Sequence, residues 1–354
     1  MYWPSFCAAA SAGLPSSPAN TVGLKIGVAG TGRLGREHVR VLCGLGGVDA
    51  VGCHDIVAER ASAAAGAHGA TAYPTLDAML DVVDAVVVAA PTTEHARVTL
   101  RAIEHGCDVF VEKPIAGTVG DAEAMIAAAL SAGRILQVGH VERFNDAFQL
   151  VLPGIETPSF IEVHRLAPFT VRGTDVSVVG DLMIHDLDLL NHILGEWPTE
   201  IRAAGAAILT EAADIVNARL EYPGGCVANV TASRMTISPM RKIRVFSPSS
   251  YLSIDLLAGR ATRYRKAAGF DRGIDALRRK AEGFDALSLR DFVEVDTVTP
   301  DPSRREEPLR KELDAFRHAV ETREPPPVTG EDGLGAVRLA AEILDAMTRG
   351  QAGR

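Results

Sequence analysis

The stretch "DLMIHDLDLLNH" covers residues 181–192 and sets Asp181, His185, Asp188 and His192 at steps of four, three and four. If the stretch is helical, that spacing puts all four side chains along one narrow stripe. The other positions, Leu182, Met183, Leu187, Leu189, Leu190, Ile193 and Leu194, are apolar enough to be held inside a protein. The polar stripe is therefore expected to face a cleft rather than open water. Three kinds of chemistry fit a row of carboxylates and imidazoles there: a metal site, a set of satisfied buried polar groups, or an acid/base pair beside a bound substrate.

A second constellation lies near the start of the chain. "GTGRLG" runs from Gly30 to Gly35, after a β-branched run and at the opening of a helical one. In the spacing G-x-G-x-x-G the glycines let the backbone turn tightly, approach a pyrophosphate closely and pack helix on strand, with the helix N-terminus facing the negative charge. Gly30, Thr31, Gly32, Arg33 and Leu34 are the expected contacts. Asp55 follows 20 residues after Gly35, at the end of the next predicted strand, where a carboxylate accepts hydrogen bonds from a ribose diol. It would also repel a 2′-phosphate, so NAD(H) is expected rather than NADP(H). "AAPTTEH" closes the fourth predicted strand. It puts Pro91, Thr92 and His95 at the carboxyl edge of the sheet, with Thr92 or Thr93 expected as helix N-cap. "VFVEKP" ends the fifth with Glu112, Lys113 and Pro114, a charged pair before proline where a buried strand should stop.

The elements that must position these groups come in two textures. From residue 24 to about 145, the runs "LKIGVAG", "VDAVGCHD", "DAVVVAA", "CDVFVEK" and "ILQVGH" alternate with Ala-rich helical segments that end in glycine, the rhythm of a doubly wound parallel sheet. After residue 150, "SFIEVHRLA", "EIRAAGAAIL", "IVNARLEYP", "CVANVTASR" and "RKIRVFSP" follow one another as half-buried strands without helices between them. The fold expected is α/β: an N-terminal Rossmann domain over 24–146, then an α+β domain over 147–354 with a large, mostly antiparallel open sheet. Residues 259–308, rich in Arg and Lys, are left unassigned. Two helices, "LRKELDAFRHAVETRE" and "GLGAVRLAAEILDAMTR", close the chain.

Bulk properties narrow the function. A chain of 354 residues, 47% of them hydrophobic, can bury a sizeable core. A formal charge of -9 argues against nucleic acid as a partner, since no basic excess exists to displace counterions from phosphates. Cysteines 7, 43, 53, 107 and 226 are odd in number and form no C-x-x-C pair, which favours reduced thiols in a cytoplasm. Residues 1–23 read as a flexible leader whose prolines and serines break any spanning helix, and no membrane association is expected.

In combination, G-x-G-x-x-G, a ribose acid, E-K-P and D-x-x-x-H-x-x-D resemble the glucose-fructose oxidoreductase, inositol dehydrogenase and MocA family. The likeness runs over roughly residues 24–350. The resemblance implies an NAD-dependent oxidoreductase in which Lys113 and His185 stand beside the reacting carbinol, with Asp181 near both. It favours acid/base chemistry for the stripe, with no metal, since His185 can take the hydroxyl proton as hydride leaves carbon. Asp188 and His192 are then structural supports. "QVGHVERFN", "HRLAPFTVRGTDVSVVGDLMIHDLDLL" and "NARLEYPGGCVANVTASRMTISPMRKIRVF" look like the branch acting on the 3-hydroxyl of UDP-N-acetylglucosamine, which feeds a PLP-dependent aminotransferase in lipid A diamino-sugar synthesis. That likeness makes His140, Glu142, Arg143, Asn145, Arg165 and Arg172 the expected substrate contacts, the arginines for a diphosphate. Met183 stands where many members of the family have glycine, which is expected to narrow the room around the sugar. A dehydrogenase of a free polyol or hexose, and a catalytically silent NAD-binding regulator, are the competing readings. An open antiparallel sheet needs cover, so a homodimer or homotetramer is expected.

Overall fold

The computed structural model describes residues 23–170, 176–266, 293–301, 303 and 305–352. Nearly all of the expected leader, and Arg172, lie outside these residues. Packing divides the chain into two compact units. Of the described residues, the first takes in 23–144 together with Leu187–Gly195 and Glu306–Ala341. The second takes in the described residues of 145–186, 196–305 and 342–352.

The first unit is built on six parallel strands. These are β1 (Leu24–Ala29), β2 (Val48–His54), β3 (Thr71–Ala72), β4 (Ala85–Val88), β5 (Asp108–Glu112) and β6 (Leu136–Gly139), in the order β3-β2-β1-β4-β5-β6. The order reverses beside β1, and the crevice outside the carboxyl ends of β1 and β4 is where such sheets bind nucleotides. Strands β4, β5 and β6 are buried at every residue, as expected of strands covered on both faces. The connecting helices are α1 (Arg33–Cys43), α2 (Ala58–His68), α3 (Leu76–Leu80), α4 (Thr92–Glu104) and α5 (Val119–Ala132). Thr118 caps α5 by accepting from Asp121 N, and Gly133 ends it at φ 62°. For α4 the threonine cap does not form. Pro91 holds the cap position at φ -57° and ψ 146° with no side-chain bond, and its carbonyl accepts from Glu94 N at 2.8 Å, so the fixed proline backbone starts the helix.

Helix Pro308–Thr322 belongs to this unit although it is remote in sequence. Its Leu313, Phe316 and Val320 join the core of Ile26, Val28, Leu42 and Phe110, with Phe316 edge-on to Phe110 at 5.8 Å. The segment before the last helix, Gly330–Ala352, runs antiparallel along β6: Val138 N donates to Val328 O at 3.1 Å, and Gln137 bridges to Thr329.

The second unit holds an eight-stranded sheet. Its strands are β7 (Phe160–Leu166), β8 (Glu200–Ala206), β9 (Ile215–Glu221), β10 (Val227–Ser233), β11 (Met240–Phe246), β12 (Ser250–Asp255), β13 (Arg260–Lys266) and β14 (Val293–Val298). The order is β14-β13-β12-β11-β7-β10-β9-β8, antiparallel throughout except between β7 and β10. Strand β12 is absent from the expected strands, although Leu252 and Ile254 alternate there, while β13 and β14 lie within the unassigned 259–308: in β13 Ala261 is the one buried residue, followed by Thr262, Arg263 and Tyr264, so apolar periodicity is faint. Alternation buries Ile161, Val163, Val230, Ile243, Val245, Leu252 and Ile254 on one face. On the other face a cross-strand row runs Phe160–Phe246–Tyr251–Tyr264, with the last two contacts stacked at 4.5 and 4.8 Å.

Candidate active site

The glycine loop has the geometry its spacing predicts. Gly30 sits at φ 92°, and a Cβ there would lie 2.8 Å from Ala90 N. A Cβ on Gly35 would lie 1.8 Å from the Gly30 carbonyl oxygen, so the first turn of α1 is pressed onto the loop. Gly32 is different, since a Cβ there meets nothing within 4 Å, leaving open space against the backbone. Gly32 is also the cap of α1 and makes no side-chain bond, while the first in-helix bond is Arg36 N to Gly32 O. The N–H groups of Arg33, Leu34 and Gly35 are thus available to an anion, and Arg33 and Leu34 are exposed. This is a cradle shaped for a pyrophosphate.

Asp55 follows β2 directly. Its Oδ2 accepts from Thr31 N at 2.8 Å and Thr31 Oγ1 at 3.2 Å, and Oδ1 accepts from Val57 N at 2.9 Å. Burial pushes its carboxyl upward, yet the bonds from Val57 and Thr31 outweigh this and hold it below the usual aspartate value. Asp55 is therefore an anion fixed beside the glycine loop, with acceptor capacity left on Oδ1 for a ribose hydroxyl. These residues fit a dinucleotide without a 2′-phosphate.

The carboxyl edge of β4 and β5 is tied together by His95, 1% exposed. One ring nitrogen lies 2.8 Å from the Pro114 carbonyl oxygen and the other 3.0 Å from that of Ala90. Lys113, in a cis peptide with Pro114, is half-buried at the same edge. Glu112 points inward: its Oε1 lies 2.7 Å from Nε2 of His38, which is fully buried on α1, and its Oε2 accepts from Lys113 N at 3.2 Å. Burial raises the Glu112 carboxyl, but the His38 bond and the Lys113 charge bring it below its ordinary value. His38 had no signal in sequence beyond its place on a helix. It links the phosphate-binding helix to the strand end that carries Lys113.

Beyond β6, His140 is buried, and a 3-10 turn (Val141–Phe144) presents Arg143. The stripe helix begins with a π turn, Val179–Met183, and continues as α7 (Ile184–Leu194). Arg143 grips Asp188 with two bonds of 2.7 Å, donates to Asp332 Oδ1 at 3.2 Å, and lies 2.6 Å from His192 Nδ1. Asp188 and His192 thus anchor this arginine. In the second unit Arg165, 3% exposed, is held the same way, with bonds of 2.8 and 2.9 Å to Asp186. Asn145 caps helix α6 (Asp146–Val151) through Oδ1 and donates Nδ2 to the Leu256 carbonyl at 3.0 Å. Asp181 and His185 are half-buried in the second unit, whereas Glu142 is buried in the first. Met183 is fully buried, so its side chain serves the packing of its own unit. Among the described residues no group of three or more His, Cys, Asp or Glu is arranged to hold a metal ion.

Six parallel strands with this glycine loop and acid define a dinucleotide-binding Rossmann domain. Residues 24–140 match the model of the GFO/IDH/MocA oxidoreductase family with its NAD-binding Rossmann fold, and residues 162–247 match the C-terminal domain of that family. The chain is 37% identical over 276 residues to UDP-N-acetylglucosamine 3-dehydrogenase of Acidithiobacillus ferrooxidans, covering 76% of this chain and 88% of the relative. It is 27% identical to inositol 2-dehydrogenase of Rhizobium meliloti over 338 residues, 90% and 94% of the two chains. A solved structure of the Acidithiobacillus enzyme superposes with a TM-score of 0.82 and 31% identity, covering 92% of this chain and 98% of that one. The chain belongs to the GFO/IDH/MocA family and is an NAD-binding oxidoreductase.

Proposed function

We propose that this protein oxidises the 3-hydroxyl of UDP-N-acetylglucosamine to a 3-keto sugar. The observation that carries this reading is the 37% identity to a UDP-N-acetylglucosamine 3-dehydrogenase across 88% of its length, set against 27% to an inositol dehydrogenase. NAD, when bound, supplies the carbon that accepts hydride. In this reading Lys113 polarises the hydroxyl oxygen, His185 takes the proton, and Asp181 orients the imidazole. Glu142 is assigned to the sugar pocket. For the diphosphate we propose no ligand in Arg143 or Arg165, whose guanidinium groups are already bidentate on buried aspartates. The product ketone suits a PLP-dependent aminotransferase as the next enzyme. We place the reaction in the cytoplasm: Cys43, Cys53, Cys107 and Cys226 are free thiols, and no described helix is long and apolar enough to cross a membrane. The aromatic row on the eight-stranded sheet supports a homodimer or homotetramer that covers it.

The test is to mix pure protein, NAD and UDP-N-acetylglucosamine with a glutamate-dependent aminotransferase that removes the ketone. NADH formation is expected, and its absence with every UDP-hexosamine offered rejects the substrate. Turnover of unsubstituted polyols in its place selects the inositol-like reading. Lys113→Met is expected to lower kcat by about 10²–10⁴-fold while NADH binding persists. A Lys113→Met protein as active as the parent would remove Lys113 from the chemistry, whereas a Lys113→Ala change that leaves function in cells untouched would restore the silent-regulator reading.

A further inference from the structure

Strands β5 and β6 end in register, Glu112 opposite Gly139, so Lys113 and His140 leave the sheet side by side at its carboxyl edge. Adjacent strands lie about 4.8 Å apart, within side-chain reach. His140 is 1% exposed, and neither of its ring nitrogens has a hydrogen-bond partner. Its Nδ1 lies 3.9 Å from Asp188 Oδ2, just beyond bonding distance. The charged groups facing it are Asp188 from α7, Arg143 from the 3-10 turn, Lys113 from the end of β5 and Asp332 from the last helix. A buried imidazole with both nitrogens unbonded is costly, so partners are expected to reach it when the site is assembled.

The chemistry of the neighbours selects those partners. Burial, the largest influence on His140, keeps the ring neutral, with one nitrogen a donor and the other an acceptor. Asp188 is a carboxylate and only accepts, so Nδ1 carries the hydrogen and Nε2 needs a donor. Four of the five N–H groups of Arg143 are already directed at Asp188, Asp332 and His192. Lys113 is the other cation facing the ring. We infer that His140 is a positioning residue for Lys113, accepting a hydrogen bond from the ammonium at Nε2 while Nδ1–H faces the Asp188 carboxylate. The ammonium is thereby kept charged and aimed, so His140 acts through Lys113 rather than on the substrate. The inference deepens the dehydrogenase reading and rests on it only for its kinetic arm.

The chain has six lysines, so a titration of each is practical. Lysines dimethylated with ¹³C-formaldehyde are followed by NMR against pH, and the Lys113 signal is the one missing from Lys113→Arg. His140→Leu is expected to lower the Lys113 midpoint by about one pH unit, a tenfold change in its charged fraction. His140→Gln, whose amide oxygen can accept, is expected to recover at least half of that. The alkaline limb of kcat/KM for the UDP-sugar should move in step. A Lys113 midpoint unchanged in His140→Leu protein that still binds NADH overturns the inference, as does a shift that His140→Gln fails to reverse. If the parent forms no NADH from any UDP-sugar, the substrate reading falls while the lysine titration still decides the role of His140.

Discussion

Glu312, on helix Pro308–Thr322, is fully buried, and neither carboxyl oxygen has a hydrogen-bond partner. Burial raises its carboxyl well above the ordinary glutamate value, and the nearby anions Glu112 and Asp188 raise it further. Its neutral form is therefore the one the fold accommodates. In the unfolded chain this group ionises around pH 4.5, so above that pH the folded state holds a proton that the unfolded state has lost. Stability then declines as pH rises, until the folded carboxyl itself ionises. Glu312→Gln keeps the shape and removes the titration. Its urea midpoint is expected to match the parent near pH 4.5 and to exceed it at pH 8. Equal midpoints at both values would show that Glu312 is not held neutral. No residue-scale pattern in the sequence announced this group, because a glutamate on a helix ordinarily faces water. The positions of Gly30, Asp55 and Lys113 at strand ends were legible because a glycine loop, an acid and a lysine stand there at fixed offsets from β-branched runs.

At the scale of elements, the second and third glycines of the phosphate loop should fail differently. A side chain at Gly35 collides with the Gly30 carbonyl, so Gly35→Ala is expected to lower thermal stability as well as NADH affinity. A side chain at Gly32 meets no protein atom, so Gly32→Ala should melt like the parent and lose NADH binding, because the methyl group occupies the path of the pyrophosphate. Calorimetry with NADH titration separates the two, and a Gly32→Ala protein that binds NADH normally would remove the cradle from that position. Helix α7 depends on the Arg143–Asp188 pair, both members buried. Arg143→Met leaves an unpaired buried carboxylate and is expected to cost about 3–5 kcal/mol. Arg143→Met with Asp188→Leu should recover much of that loss, and a denaturation cycle that finds the two changes simply additive would contradict the coupling.

On the scale of the whole molecule, the proposed oligomer rests on the open sheet. Its outward row Phe160–Phe246–Tyr251–Tyr264 is half-buried in a single chain. Tyr251→Glu is expected to shift the light-scattering mass toward the monomer while circular dichroism stays unchanged, and an unaltered mass would place the interface elsewhere. The assembly of each unit was only partly legible. Alternating β-branched and Ala-rich runs announced the parallel sheet, and period-two strands announced the second sheet, because those patterns are local consequences of burial on two faces or one. The amino-acid order by itself determined the glycine loop, the acid after the second strand and the strand ends, since each is written within a few residues, whereas the expected polar stripe is broken by the π turn Val179–Met183 and by Asp188 and His192 turning to Arg143. Only the tertiary structure decided that helix Pro308–Thr322 packs into the first unit, that Glu112 turns to His38, and that Arg143 and Arg165 are locked on aspartates. Those outcomes depend on which apolar face meets which and on which charge finds a buried partner, and long-range packing settles both where sequence spacing carries no record.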